Sequence, residues 1–503
     1  MHYSPHLTPL TPIILLRLTK LFRYLFVVLL LLPALVDAQS FRYQLEGQAL
    51  LSPPGQLPFW LRANQHRSVP LPGPGLSLLG RMARDYDTTR HRLLDWGVAL
   101  EGRANAATQT PRTNLLLIEG HAKVRLAMLE LRAGRSRNQM GLVDTLLSSG
   151  SMAVSGNALG IPQVQLSIPE FYPIPFTRRW LAIKGSVAHG WVGVVPISNK
   201  RGSEAHTYFH QKSVYLRVGR PESTLRLYGG YNDQAFWGSE RQIFESFILT
   251  DWQSFQSVLY GKNWAGSKVG NHVGTLDGGL ELDLKNVRLF AYRQQIYDVG
   301  ALYYLANVAD GLTGISLTNK NSAPDKTLSW KKLLVEMVYT KHQGGKVGST
   351  PTPSGSERYY NHYLYSQGYS YQMQALGNPL LTPAHEAESG QSSLPANYFI
   401  NNRLWAVHTG LTGQLLGWEV QARATYSRNF GTYETSGQAY QGGGGKLVFP
   451  SAPAFIPVNQ FSSLLSGMHY GPSTRYWGAS LAWDQGGLLK PSVALLLRAG
   501  VRL

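Results

Sequence analysis

The chain has 503 residues, a formal charge of +18 and no cysteine, which excludes a disulfide framework, a thiol nucleophile and a cysteine-ligated zinc site. Its length exceeds one ordinary domain of roughly 100–200 residues. Only 15% of residues are charged, while 27 Tyr, 12 Trp, 17 Phe and 52 Gly suit strands, tight turns and interfacial aromatic girdles better than a helical bundle.

Residues 1–38 read as a secretory signal peptide. Arg17, Lys20 and Arg23 form a basic flank, Tyr24 to Val36 is a short apolar run, and Val36-Asp37-Ala38 is a small-residue cleavage site before Gln39. The apolar run falls short of the roughly 20 residues that a spanning helix needs, although an interrupted stretch back to Ile13 would serve as an uncleaved anchor. Setting the leader's charges aside leaves about +16, and such an excess raises the local concentration of polyanions. For an exported chain these are phosphorylated lipids and acidic polysaccharides. The basic residues are scattered, without the dense Lys/Arg block of a nucleic-acid binder.

From residue 39 onward the dominant pattern is alternation. Phe41, Tyr43, Leu45, Gly47, Ala49 and Leu51 share one parity, and Arg42, Gln44, Glu46 and Gln48 the other. Trp96, Val98, Leu100, Gly102 and Ala104 oppose Asp95, Glu101, Arg103 and Asn105. Val214, Leu216 and Val218 pass through Arg220-Pro221-Glu222-Ser223 into Leu225, Leu227 and Gly229, a hairpin signal. Leu276 to Leu284 oppose Asp277, Glu281 and Asp283, with a turn at Lys285-Asn286 leading into Val287 to Tyr292. Leu333, Val335, Met337 and Tyr339 form another strand, and the last runs Val493, Leu495, Leu497, Ala499, Val501 and Leu503 against Arg498 and Arg502.

So many strands with one apolar and one polar face, behind an export leader, predict an all-β transmembrane antiparallel barrel over residues 39–503. Only helices and closed barrels satisfy every backbone group in lipid. At a strand and its connection per roughly 25 residues, about 18 strands are expected. Between them lie stretches read as loops: Ser52 to Gly75, residues 141–176 (a lumen or periplasmic segment), Gly344 to Ser356, and the glycine run Gly442 to Gly445.

The search for reaction chemistry finds little. His206 and His210 fall on one strand face, about 13 Å apart at roughly 3.3 Å per residue, too far for one metal; a lumen or loop lining is expected. Gly442 to Lys446 lacks the spacing and the Ser/Thr of a phosphate-binding loop. Asp277, Glu281 and Asp283 fit a water-facing wall better than a glycosidase pair, and Ser148-Ser149-Gly150 has no nucleophile elbow. No catalytic residue, metal site or cofactor is expected.

Sugar binding needs rings against pyranose faces and Asn, Asp, Gln or Arg on hydroxyls and carboxylates. Two mixed clusters offer this: Tyr228, Tyr231, Asn232, Asp233, Gln234, Phe236 and Trp237, and the run Tyr359, Tyr360, Tyr363, Tyr365, Tyr369 and Tyr371. Tyr228, Tyr231, Asn232, Asp233, Trp237, Tyr363 and Tyr365 are the candidate polysaccharide contacts, with an interfacial aromatic belt as the competing reading.

Several motifs in a fixed order add a resemblance. Leu57-Pro58-Phe59-Trp60-Leu61-Arg62-Ala63-Asn64-Gln65, Gly141 to Ser151 with Ser155-Gly156-Asn157-Ala158 and Ile161-Pro162, and His210 to Leu216 with Phe236-Trp237-Gly238 come first. Gly377-Asn378-Pro379-Leu380, Asn401-Asn402-Arg403 with His408, Tyr426 to Tyr433, and Ala482-Trp483-Asp484-Gln485-Gly486 follow. Together these resemble the capsule assembly protein Wzi family across essentially the whole mature chain. The resemblance implies a monomeric outer-membrane barrel of 18 strands that attaches capsular or other surface polysaccharide to the cell exterior, assists capsule assembly, and acts as a lectin rather than an enzyme. Its implied partners are that polysaccharide, outer-membrane lipid and lipopolysaccharide, and not nucleic acid. The chain departs from members whose barrel follows a helical periplasmic segment, since Phe41 already begins a strand. A porin or substrate-specific outer-membrane channel is the alternative on the same architecture.

Overall fold

In the computed structural model, eighteen strands pair in one antiparallel sheet that closes on itself. The described residues are 41–503 except 87–92, 108–113, 265–266, 299–301, 323–326, 346–355, 395–396, 442–446, 451–453 and 472–473. The leader, the glycine run and most of the Gly344 to Ser356 loop lie outside them. Tyr43–Leu503 form one unit.

The strands follow one another round the wall: β1 (Arg42–Gln56), β2 (Pro72–Arg84), β3 (Leu94–Ala107), β4 (Asn114–Leu126), β5 (Leu129–Arg135) and β6 (Gln163–Pro173). Then come β7 (Leu181–Asn199), β8 (Gly202–Val218), β9 (Leu225–Trp237), β10 (Asn271–Asp283), β11 (Val287–Tyr297) and β12 (Gly311–Asn319). The circuit ends with β13 (Leu328–Tyr339), β14 (Leu404–Leu415), β15 (Trp418–Asn429), β16 (Val458–Tyr470), β17 (Arg475–Gly486) and β18 (Ser492–Arg502). Closure is a β1–β18 seam in which Gln44 pairs with Arg502 and Leu51 with Leu495. The eighteen-stranded sheet therefore has no free edge strand.

Alternation sorts the side chains as anticipated. Leu51, Trp96, Leu100, Leu276, Val335, Met337, Leu481 and Leu497 are all exposed on the outer wall, whereas Glu46, Glu101, Asp277, Glu336 and Asp484 on the other parity are buried inside. Aromatic residues mark both borders of this apolar band. Trp96, Trp418 and Trp477 stand near one rim, and Tyr339, Trp405, Tyr426, Phe461 and Trp483 near the other. Outer-membrane barrels carry such a pair of girdles.

The two rims differ. One holds the short connections 127–128, 219–224, 284–286, 416–417 and 471–474; the other holds the long segments 57–71, 136–162, 238–270, 298–310, 340–403 and 430–457. Outer-membrane barrels show the same asymmetry, with short periplasmic and long extracellular connections.

Two sequence expectations are corrected here. Residues 141–176 are not one irregular segment, because β6 occupies Gln163–Pro173 within them; Val164 and Leu166 face out and Gln163 and Ser167 face in, an alternation masked by the surrounding Ser and Pro. Ser52 to Gly75 is likewise trimmed at both ends, by β1 running to Gln56 and β2 starting at Pro72.

Candidate functional site

Three of the long segments fold inward and fill the barrel with a plug: 57–71, which carries the short helix α1 (Phe59–Arg62), 136–162, and part of 340–403. The plug has its own apolar core. Phe59, Trp60, Leu147, Met152, Tyr359, Tyr360, Tyr365, Tyr369, Leu381 and Phe399 are buried in one cluster that continues into the wall through Phe209, Phe236, Ile296, Leu334 and Val338. The tyrosine run 359–371 is therefore neither girdle nor ligand platform in the main. It is plug core, with Tyr363 the exception at 56% exposure.

Polar side chains of the wall hold the plug by its backbone. Asp277 accepts from the Leu142 amide at 2.8 Å, Glu336 accepts from Ser148 Oγ and the Ser149 amide at 2.6 Å each, and Gln294 accepts from the Met152 amide at 2.8 Å. Asp484 accepts from the Phe59 amide at 2.7 Å. A relay runs from Trp60 Nε1–H to Thr425 Oγ1 (3.1 Å), from Thr425 O–H to His408 Nδ1 (2.7 Å), and from His408 Nε2–H to the Leu147 carbonyl (2.8 Å). Buried polar atoms that lack water must find such partners.

The plug segments also clasp one another. Asn378 Nδ2 donates to the Gly150 carbonyl (2.5 Å) and Ser149 Oγ, Ser155 Oγ donates to the Gly377 carbonyl (2.6 Å), and Asn64 Nδ2 donates to the Ser149 carbonyl (2.9 Å). Gly377 has no room for a side chain, since a Cβ would lie 1.9 Å from the Tyr360 hydroxyl. Gly156, at φ +85°, lets the chain pass the His66 ring, which a Cβ would approach to 2.9 Å. A polar cavity of about 270 Å³, large enough for water-bridged ligands, is lined by Asn64, His66, Arg137, Asn138, Asp144 and Arg423. Burial, with Arg137 nearby, lowers the His66 pKa to about 4. Burial beside Arg358 likewise lowers His362 to about 3.

The seven candidate sugar contacts do not form one site. Tyr228 faces the lumen near the short-turn rim, with its hydroxyl on Glu281 at 3.1 Å. Asn232 also faces in and is fully buried, donating to Thr275 Oγ1 at 2.9 Å and Asp277 at 3.2 Å. Tyr231, Asp233 and Trp237 lie on the outward parity. Tyr231 stacks on Tyr297 at 6.1 Å. Asp233 is buried against Lys212 Nζ (3.0 Å), His272 Nδ1 (3.0 Å) and the Tyr297 hydroxyl (2.9 Å). Tyr365 is buried in the plug with its hydroxyl on Ser239, and Tyr363 packs on His362 at 4.6 Å in the long-loop region.

The outward cluster is covered by segment 238–270, which contains α2 (Glu240–Ile243) and α3 (Asp251–Tyr260). The Thr250–Gln253 capping box starts α3, Gly261 at φ +65° ends it, and Lys212 Nζ donates to the carbonyls of Val258 (3.0 Å) and Leu259 (2.8 Å) in its last turn. Phe255 contacts His189, His210 and Trp237. His206 and His210 therefore do not line the lumen. They share the outward parity, with His206 exposed and His210 buried beneath α3.

Comparison with known proteins places these features. The family model for "Capsule assembly protein Wzi" matches residues 81–394. The chain belongs to that family. Among solved structures it is similar to Wzi of Escherichia coli, described as an outer-membrane protein involved in group 1 capsule assembly and a carbohydrate-binding β-barrel. The identity is 13% and the TM-score 0.54, over 93% of this chain and 85% of that one. Pseudomonas aeruginosa OccK5 (OpdH) and OpdL also match, each at 10% identity and TM-score 0.43, over 92% of this chain and 98% of theirs. No curated protein matches the chain. The Wzi-like motifs read from the sequence coincide with the plug fastenings: Asn64 and Trp60, Ser149 to Ser155, Asn378, His408 and Asp484 all make the contacts described above.

Proposed function

We propose that this Wzi-family barrel sits in the outer membrane, as a monomer, and holds capsular or other surface polysaccharide on the cell exterior as a lectin without catalytic chemistry. The observation that carries the reading is a lumen occupied by a plug whose outer residues lie on the long-loop side. Tyr363 and His362 offer ring faces there. Elsewhere on the plug, Arg67 is bonded to Gln372 at 2.7 Å beside exposed Met373, a second polar contact for sugar hydroxyls or carboxylates. Weak contacts suffice, because a polymer held at one point meets the next site at high effective concentration. The surrounding lipid and lipopolysaccharide complete the set of partners proposed for it.

Deletion of the gene, with cell-bound and released polysaccharide measured separately, tests the reading. Released polymer should rise at constant total synthesis, and unchanged retention would end the proposal. Tyr363→Ala should weaken binding of purified polysaccharide by about 1 kcal/mol, the worth of one stacked ring. The plug packing argues against the channel alternative.

A further inference from the structure

Three adjacent strands, β13, β14 and β15, carry girdle aromatics at their long-loop ends: Tyr339, Trp405 and Tyr426. Tyr339 pairs with Trp405, and Trp405 with Arg428. Two residues beyond each aromatic, on the side away from the apolar band, stands a cation: Lys341, Arg403 and Arg428. One such step along a strand is roughly 6.6 Å, which places the charges at headgroup height just outside the hydrocarbon.

These cations converge. Lys341 Nζ lies 4.1 Å from the centre of the Phe430 ring, and the Arg428 guanidinium lies 5.7 Å from the same ring. Arg403 braces them: it is buried, donates from Nε to the Lys341 carbonyl at 3.1 Å, and lies 4.7 Å over the Tyr433 ring. Among the described residues, no carboxylate stands within 4.0 Å of any of the three. Two other outward cations of the wall are already engaged. Lys212 is held by Asp233 and α3, and Arg293 by Thr313 and the Val308 and Asp310 carbonyls.

Like charges gathered on one ring repel each other, and a dianion placed between them removes that repulsion. We propose that Lys341, Arg428 and the rim of Phe430, braced by Arg403, bind the phosphate group of a phosphorylated glycolipid in the outer leaflet. A bridging phosphate would accept charge-assisted hydrogen bonds from both side chains while the acyl chains lie along the apolar wall below. An acidic polysaccharide is the lesser fit, because Lys341 and Arg428 continue the outward parity of the girdle aromatics Tyr339 and Tyr426, on the lipid side of the wall. The inference rests on placement of the barrel in an outer membrane and is independent of the polysaccharide reading, so either can fail alone.

The test is native mass spectrometry and thermal-shift titration of the full-length protein in detergent, with bisphosphorylated lipid A, its dephosphorylated form and inorganic phosphate as probes. The native protein should retain the bisphosphorylated lipid. The double variant Lys341→Gln/Arg428→Gln, checked for an intact barrel by circular dichroism, should bind it about tenfold or more weakly, and its binding of soluble capsular polysaccharide should not change. Equal retention by the variant would overturn the proposal. So would equal retention of the dephosphorylated lipid, displacement by inorganic phosphate at matching concentration, or a selective loss of polysaccharide binding.

Discussion

Asn378 joins two segments that are 228 residues apart, through the Gly150 carbonyl and Ser149 Oγ, and its Oδ1 accepts from the Leu380 amide at 3.0 Å. Asn378→Ala orphans a buried carbonyl and a buried amide, and should cost the plug about 1–3 kcal/mol; limited proteolysis within 136–162 would report it while the barrel stays intact. His66 and His362 give the plug a pH dependence. Their folded pKa values, about 4 and about 3, lie below the ordinary 6.5, so the unfolded plug takes up more protons between those limits. Their contribution to stability is present above about pH 6.5 and is lost progressively as pH falls toward 4. Plug protection against protease should decline over that window, and His66→Gln should flatten the profile. At this scale the sequence was legible in parity but not in partnership. Nothing local to Asn378 or His408 names Gly150 or Leu147, because those contacts exist only once the wall brings distant loops together.

Strands were the most readable elements, since lipid outside and polar lumen inside impose a period of two that survives in β1, β3, β10, β13 and β18. Parity says less where a second layer intervenes. On β8 and β9 the outward parity carries Lys212 and Asp233, charges that lipid would reject. They make sense only beneath α3, whose 238–270 excursion gives no alternation to announce that it folds back over the outer wall. Lys212→Met removes both the ion pair to Asp233 and the bonds to the last turn of α3. Breaking a buried pair should destabilise this excursion by about 3 kcal/mol. Protease cleavage between 244 and 262 should then increase, with β content by circular dichroism unchanged. Cleavage rates equal to the native protein would show that Phe255 and its ring contacts alone hold α3 in place.

For the whole molecule, a barrel of 18 strands was foreseeable from length and rhythm, and the plug was foreseeable only as stretches without alternation. Its role shows in transport. The intact protein should give little or no conductance in planar bilayers, and removal of 137–161 should open a large water-filled pore, as in wide barrels with free lumens. An unchanged baseline after that deletion would mean that 57–71 and 340–403 seal the cylinder by themselves. The plug has a mechanical consequence too. An empty cylinder of this girth yields to sideways load by flattening into an ellipse. Here Leu142 is fastened to β10, Ser149 to β13, Leu147 to β14 and Phe59 to β17, like spokes tying a hub to several points of a wheel. A pull on the exterior by a heavy polymer coat would reach the whole circumference at once, and the ring would keep its roundness under that strain.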